Sequence, residues 1–319
     1  MNSNHKKFIC LFFLLILSQK WVAAETPTAD IPSRDPFILA EPETGTYYWY
    51  SSGYGRVEVR KSHDLKLWTE RKEVFTIPPD NWAKGQIWAA EVHKYNGRYY
   101  LFATVNSSAE IKIPELPNGW TSTYRAMQIF HSDSPEGPFE SFSNQPHLPS
   151  NLLTLDGTLW VEDGVLYMVY CHEWLQMVDG TMEVIQLKPD LSATVGQPSV
   201  LFKASEAPWK PKPQSNLVTD GPFLYRTKTG KLLMIWSSGS AKGYAVGIAE
   251  SATGKITGPW THQSQLLYDN NGGHGSIFKT FDNKLYLVMH QPNGPRGAER
   301  ARFFELNDMG NTLTLGAEM

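Results

Sequence analysis

Five times along the chain, a turn carrying Gly or Asn is followed by a short run rich in Tyr, Leu and Val. The runs are Gly45-Thr46-Tyr47-Tyr48-Trp49-Tyr50, Gly97-Arg98-Tyr99-Tyr100-Leu101-Phe102, Gly164-Val165-Leu166-Tyr167-Met168-Val169, Gly230-Lys231-Leu232-Leu233-Met234-Ile235 and Asn283-Lys284-Leu285-Tyr286-Leu287-Val288. Each is preceded by another short strand-like segment: Pro36 to Ala40, Trp88 to Lys94, Gly157 to Val161, Pro222 to Tyr225 and Ser276 to Lys279. Each is followed by a third with alternating apolar residues, such as Met127 to His131 or Tyr244 to Ala249. Successive copies lie roughly 50 to 67 residues apart, which suits a blade of three or four strands joined by hairpins. No long stretch carries apolar residues at i, i+3, i+4 and i+7, so helix signals are sparse. The pattern predicts an all-β chain folded as a five-bladed β-propeller. A β-sandwich is the structural alternative, but sandwiches lack so regular a repeat.

Composition narrows the partners. The 319 residues carry 29 Lys+Arg against 32 Asp+Glu, a net charge of −3, which gives no basic footprint for nucleic acid. Aromatic residues reach 13%, with 11 Trp and 14 Tyr, while charged residues are only 19%. That balance suits an aromatic-lined surface on which sugar C–H faces can stack.

The N-terminus reads as an export signal. Lys6 and Lys7 precede the apolar run Phe8 to Leu17, which is too short to span a bilayer. Val22-Ala23-Ala24 then offers small residues for cleavage after Ala24. The expected organisation is a signal peptide over 1–24 and a single propeller over 25–319, secreted or periplasmic and without membrane attachment once cleaved. Cys10 leaves with the signal and Cys171 remains alone, so no internal disulfide is expected.

In a propeller the innermost strands begin at one end of the central channel, and residues at those starts converge on the axis. The five starts read Arg34-Asp35-Pro36-Phe37, Trp88-Ala89-Ala90-Glu91, Leu155-Asp156-Gly157-Thr158, Thr219-Asp220-Gly221-Pro222 and Gly273-His274-Gly275-Ser276. Four carry an acid and the fifth a histidine. One Asp before Pro or Gly is an ordinary turn residue. Recurrence at corresponding blade positions points instead to converging carboxylates. Such a set suits glycoside hydrolysis, in which one carboxylate activates water and another protonates the leaving oxygen. A third acid raises the donor's pKa through like-charge repulsion. Clustered carboxylates also bind calcium, but no EF-hand loop pattern is present.

Taken in order and spacing, these starts resemble glycoside hydrolase family 43, the five-bladed arabinanases, arabinofuranosidases and xylosidases. The turns Ser134-Pro135-Glu136-Gly137-Pro138-Phe139 and Gly258-Pro259-Trp260 add to the likeness. The resemblance implies an inverting mechanism, with Asp35 as the general base and Asp156 as the residue that orients the acid and tunes its pKa. The general acid is usually a Glu at the start of blade IV, where this sequence has Asp220. Asp reaches roughly 1.5 Å less far, a distance that matters to catalysis. The donor is therefore Asp220 itself, or a glutamate elsewhere, or it has been lost. Glu173, in Cys171-His172-Glu173-Trp174, ends the second strand of blade III and should return to the channel mouth. Glu183 begins the third strand of that blade and is the further candidate.

Arg34, Trp88, Glu91, Trp174 and His274 are the expected sugar contacts. The resemblance implies that His274 faces the central cavity, where arabinanases hold a hydrated cation. It would contact either that ion, as a structural calcium site, or the catalytic carboxylates. No cofactor is required for the chemistry. Arg296 and Arg300, in the last blade near Gly294-Pro295, could reach the site, but a solvated loop face is the favoured role for both.

The expected function is release of arabinose or xylose units from plant cell-wall glycans by a monomeric α-L-arabinofuranosidase or arabinanase, its partner being an oligosaccharide or polysaccharide. β-Xylosidase and a non-catalytic carbohydrate-binding propeller are the alternatives. Segments 105–124 and 204–219 would set pocket depth, and with it exo against endo action.

Overall fold

The computed structural model describes residues 25–111, 122–211 and 217–319. The expected signal peptide over 1–24 lies outside them, as do parts of the two rim segments. Among the described residues, no helix is long and apolar enough to cross a membrane.

Five four-stranded antiparallel sheets follow one another along the chain. Blade I is Phe37–Glu41, Thr46–Ser52, Arg56–Ser62 and Lys72–Thr76. Blade II is Ile87–Tyr95, Arg98–Ile111, Ser122–Ser132 and Glu140–Ser141. Blade III is Thr154–Glu162, Val165–His172, Thr181–Leu187 and Thr194–Lys203. Blade IV is Asp220–Arg226, Leu232–Ser240, Gly243–Ser251 and Trp260–His262. Blade V is Gly273–Lys279, Leu285–Gln291, Arg300–Asp308 and Leu313–Glu318. This is the five-bladed β-propeller that the repeat predicts.

The turns explain why the repeat begins with Gly or Asn. Asn96-Gly97 and Asp163-Gly164 take positive φ at both residues, the two-residue hairpin that matches strand twist. In blade V Asn283 adopts φ 65°, and Asn is among the few side chains that tolerate the left-handed region.

The second strands are continuous apolar runs because both faces of each blade are covered. Tyr99 and Leu101 pack toward blade I, whereas Tyr100 and Phe102 pack toward blade III. Each of the five large hydrophobic clusters straddles two adjacent blades. The ring closes between blades V and I around Ile38, Trp49, Trp68, Phe278 and Phe303. Pro32 bridges Arg300, and Ser276 Oγ donates to the Pro36 carbonyl there (3.3 Å). Trp49 is fully buried and meets Trp68 and Phe303 edge-on at 5.0 and 5.9 Å. Trp49→Ala should lower the unfolding free energy by about 3–5 kcal/mol in chemical denaturation, as for other buried aromatic truncations. A loss below 1 kcal/mol would mean that this seam does not hold the ring.

Candidate active site

At the channel mouth one residue at the start of each inner strand, or in blade I just before it, adopts the left-handed backbone: Asp35 (φ 49°), Ala89 (46°), Asp156 (56°), Gly221 (51°) and His274 (49°). In blades II to V it sits in a β-bulge, where the pairing register skips between Trp88 and Glu91, Leu155 and Thr158, Asp220 and Phe223, and Gly273 and Ser276. The bulge aims these side chains at the axis. It also corrects the expectation of strict equivalence among the acids. Asp35 and Asp156 share one position with His274. Asp220 stands one residue earlier, where blades II, III and V have Trp88, Leu155 and Gly273. Glu91 stands two residues later than the shared place.

Asp35, Asp156, Asp220, Glu173, His274, Arg34, Trp88 and Trp174 all line one cavity of about 640 Å³. Arg296 lines its rim, exposed to solvent. Two expected residues are not brought in. Glu91 faces His93 instead, with the two side chains 2.9 Å apart. Glu183 accepts hydrogen bonds from the Tyr170 hydroxyl (2.7 Å) and the Thr181 hydroxyl (2.8 Å) and lies 3.0 Å from His172 Nδ1. These contacts outweigh burial and hold its carboxyl below the usual range, the wrong direction for a proton donor. Its effect is to orient His172, whose Nε2 meets Gln176 (2.8 Å).

Several partners of the site were not predicted. The Asp35 N–H donates to His290 Nδ1 (3.2 Å), which places the ring proton on Nε2, beside Asn293 Oδ1 (3.4 Å). Asp35 Oδ1 lies 3.2 Å from Nδ1 of both His274 and His290 and accepts no hydrogen bond among the described residues. Arg34 Nε is 3.7 Å from Asp35 Oδ2, and Glu299 holds the same guanidinium at 3.2 Å. Burial alone would raise the Asp35 carboxyl. The charge of His274, the His290 ring against the carboxyl and the charge of Arg34 outweigh it and hold the group well below the usual carboxylate range.

The neighbouring acids go the other way. Burial, then the charges of Asp220 and Asp35, push Asp156 well above the usual range, although its Oδ2 accepts the Gly221 N–H (3.1 Å). Burial also raises Asp220, whose Oδ2 accepts the Tyr244 hydroxyl at 2.8 Å. Burial pushes Glu173 up to about 7; the Asp220 charge adds to this and Arg125 opposes it. Arg125 Nη1 donates to Glu173 Oε1 (2.9 Å), and its guanidinium lies 4.7 Å from the Trp88 ring centroid. Widely separated values within one set of carboxyls are what divide base from acid.

A raised Glu173 has a consequence for stability. The folded state holds the proton more tightly than the unfolded chain, so its contribution is fully present below 4.5 and is lost as pH rises through about 7. Glu173→Gln should therefore gain melting temperature relative to wild type as pH rises over that window. A difference that stays flat with pH would contradict the raised value.

The imidazole of His274 lies between carboxylates, with Nδ1 3.2 Å from Asp35 and 3.6 Å from Asp156. Calcium takes six to eight oxygen ligands. Among the described residues no three His, Cys, Asp or Glu side chains are grouped to hold a metal. This donor set does not fit a protein-caged calcium.

The sheet order, the bulged inner strands and the acid-lined cavity can be set against known proteins. A family model described as "Glycosyl hydrolases family 43" matches residues 24–309. The chain belongs to this family. Among solved structures, the endo-arabinase from Bacteroides thetaiotaomicron VPI-5482 superposes with a TM-score of 0.78 at 35% identity, covering 91% of this chain and 96% of that one. The extracellular endo-α-(1→5)-L-arabinanase 1 of Bacillus subtilis is 37% identical over 84 residues, 23% of this chain and 25% of its own. The α-L-arabinofuranosidase 43 of Humicola insolens is 20% identical over 291 residues, 82% of this chain and 55% of its own. The matches thus span a quarter and about half of the length of these two curated relatives.

Family 43 membership leaves the missed residues to be explained. His290 is the penultimate residue of the second strand of blade V, as Cys171 is in blade III, and both strands return to the same mouth. Applying to blade V the reasoning that singled out Glu173 would have found it. Tyr244 and Arg125 lie on third strands and reach inward, with no motif to mark them.

Proposed function

We propose that this family 43 protein is exported and hydrolyses α-L-arabinofuranosyl linkages in arabinan with inversion, acting as a monomer. The observation that carries the reading is the split within one cavity: Asp35 is held ionised while Asp156, Asp220 and Glu173 are pushed toward the protonated state. An ionised Asp35 takes a proton from water as its oxygen bonds to the anomeric carbon. Asp220 or Glu173 protonates the leaving oxygen as the glycosidic bond breaks. Asp156 lines the same cavity and, with its Oδ2 accepting the Gly221 N–H beside Asp220, orients the acid set. Trp88 and Trp174 offer ring faces to the sugar. The likeness to an endo-arabinase at 35% identity supports arabinan as the substrate and internal cleavage as the mode. Exo release of arabinofuranose is the second reading, supported by the arabinofuranosidase relative.

The test sets linear 1,5-arabinan against 4-nitrophenyl α-L-arabinofuranoside and β-D-xyloside, with the anomer of the first product read by NMR. Expected are arabino-oligosaccharides of inverted configuration and little xylose. Monomeric arabinose alone would favour the exo reading. Dominant xyloside cleavage, or a product of retained configuration, would reject the proposal. Export is checked separately by sequencing the mature N-terminus, expected at Glu25.

A further inference from the structure

Asp220 is poorly placed to donate. The bulge sets it one residue before the position shared by Asp35, Asp156 and His274. Its Oδ2 is occupied as an acceptor by the Tyr244 hydroxyl (2.8 Å), and Tyr244 is itself stacked on His290 with ring centroids 5.7 Å apart. That arrangement commits one of its oxygens to accepting.

Glu173 has the opposite surroundings. Its N–H donates to the Leu153 carbonyl (2.9 Å), and its own carbonyl accepts from the N–H groups of Gln176 (2.9 Å) and Met177 (3.0 Å). The backbone is therefore fixed where blade III meets the one-turn helix Trp174–Met177. The side chain lines the cavity with Asp156, Asp220 and Trp88, and only 6% of the residue is exposed. One carboxyl oxygen, Oε1, accepts from Arg125. The other, Oε2, is buried with no hydrogen-bond partner among the described residues. A buried carboxylate oxygen without a donor is costly, whereas a protonated one needs only an acceptor. Oε2 is thus the oxygen to carry the proton, and a rotation of the carboxyl that turns it into the cavity would bring it to a leaving oxygen as that acceptor.

The geometry points to Glu173 on blade III as the proton donor of this enzyme, with Arg125 as its positioning residue; this rests on the hydrolysis proposed above. In the step, a water O–H bond breaks toward Asp35 and the water oxygen bonds to the anomeric carbon. The bond from that carbon to the leaving oxygen breaks, and the leaving oxygen takes the Oε2 proton. Glu173 is left as a carboxylate beside the Arg125 guanidinium, which stabilises the charge as it forms. Solvent then returns a proton to Glu173 and removes one from Asp35. Arg125 is held by Ser122 (2.5 Å) and by the Trp88 face, so the donor's position depends on a blade II strand.

The experiment compares Glu173→Gln and Asp220→Asn on two arabinofuranosides: 4-nitrophenyl α-L-arabinofuranoside, whose leaving group needs little protonation, and 1,5-linked arabinohexaose, whose leaving group needs it. For Glu173→Gln, kcat/KM should fall about 10³-fold on arabinohexaose but less than about 10-fold on the aryl substrate, with loss of the alkaline limb of the pH profile. Asp220→Asn should affect both substrates alike. Arg125→Met should move the alkaline limb to higher pH while the protein stays folded. Equal losses on both substrates for Glu173→Gln, or the selective loss appearing in Asp220→Asn, would overturn the assignment. If wild type cleaves xylosides and not arabinofuranosides, the substrate reading fails. The donor is then tested on the matching xyloside pair by the same criterion.

Discussion

Asp35→Asn is expected to lower kcat by about 10³–10⁴-fold on every substrate, activated or not, while the protein remains folded. The argument for a clean loss is local. Position 35 needs the left-handed backbone at φ 49°, and Asn tolerates that region better than most residues. The N–H to His290 and the closure of blade I onto blade V are backbone features that the change leaves alone. What disappears is the ionised carboxylate that His274, His290 and Arg34 hold below the usual range. An amide takes no proton from water, so a better leaving group cannot rescue it. Uniform loss across leaving groups separates the base from the donor, whose loss depends on leaving-group acidity. The outcome is read by kcat/KM on both substrate types and by circular dichroism. Activity within tenfold of wild type in a folded Asp35→Asn protein would remove the base assignment and the proposed mechanism with it.

The depressed Asp35 value carries a further expectation for pH. The group is ionised above its folded pKa, which lies under that of an ordinary Asp, so the acid limb of kcat/KM should begin unusually low. His290→Ala should move that limb to higher pH by removing one of the contacts that depress it. An unmoved limb would show that the ring only supports the Asp35 backbone.

How the sequence foretold so much of this follows from what a propeller repeats. Each blade needs a tight hairpin, an apolar second strand and a bulged inner start, and each of these leaves a local mark such as Asn96-Gly97 or Asp156-Gly157. The fold and the channel-facing acids were therefore legible. What connects the blades was not. Thr104 of blade II accepts the Asp156 N–H of blade III (3.0 Å), Ser237 of blade IV accepts the His274 N–H of blade V (2.8 Å), and His290 of blade V accepts the Asp35 N–H of blade I (3.2 Å). In each case the second strand of one blade holds the left-handed residue of the next. Thr, Ser and His have little in common in sequence beyond a side-chain atom able to accept, so no residue pattern marks the ring.

That ring also explains why Asp220 and Asp35 looked equivalent. Sequence places both beside a turn, but the bulge in blade IV gives the left-handed position to Gly221 and leaves Asp220 one residue short. Blade III presents Cys171 opposite Leu155, where Ser237 and His290 stand in blades IV and V. There the Gly221 N–H is accepted by the Asp156 carboxylate instead. The Asp156 carboxyl is thereby tied to the backbone of blade IV.

Gly221→Ala should therefore damage catalysis out of proportion to its size. Backbone conformation alone does not require glycine here, since Ala89 holds φ 46° at the corresponding place in blade II. The constraint is the neighbouring blade. A Cβ on residue 221 would meet His274 Cδ2 at 2.8 Å, Cγ at 2.9 Å and Cα at 3.1 Å, closer than van der Waals contact allows. The ring can yield only by leaving its place between Asp35 and Asp156, 3.2 and 3.6 Å away. Turnover should fall about 10²-fold, the cost of a displacement approaching 1 Å in a catalytic group. Overpacking should lower the unfolding free energy by about 1–3 kcal/mol. Because His274 also depresses the Asp35 carboxyl, its retreat should move the acid limb of kcat/KM to higher pH, which simple destabilisation would not do. Ala89→Gly is the control, expected to change neither rate nor limb. A Gly221→Ala protein with wild-type turnover and an unshifted limb would mean that His274 has room to move and that its contact with Asp35 does not set the charge of the base.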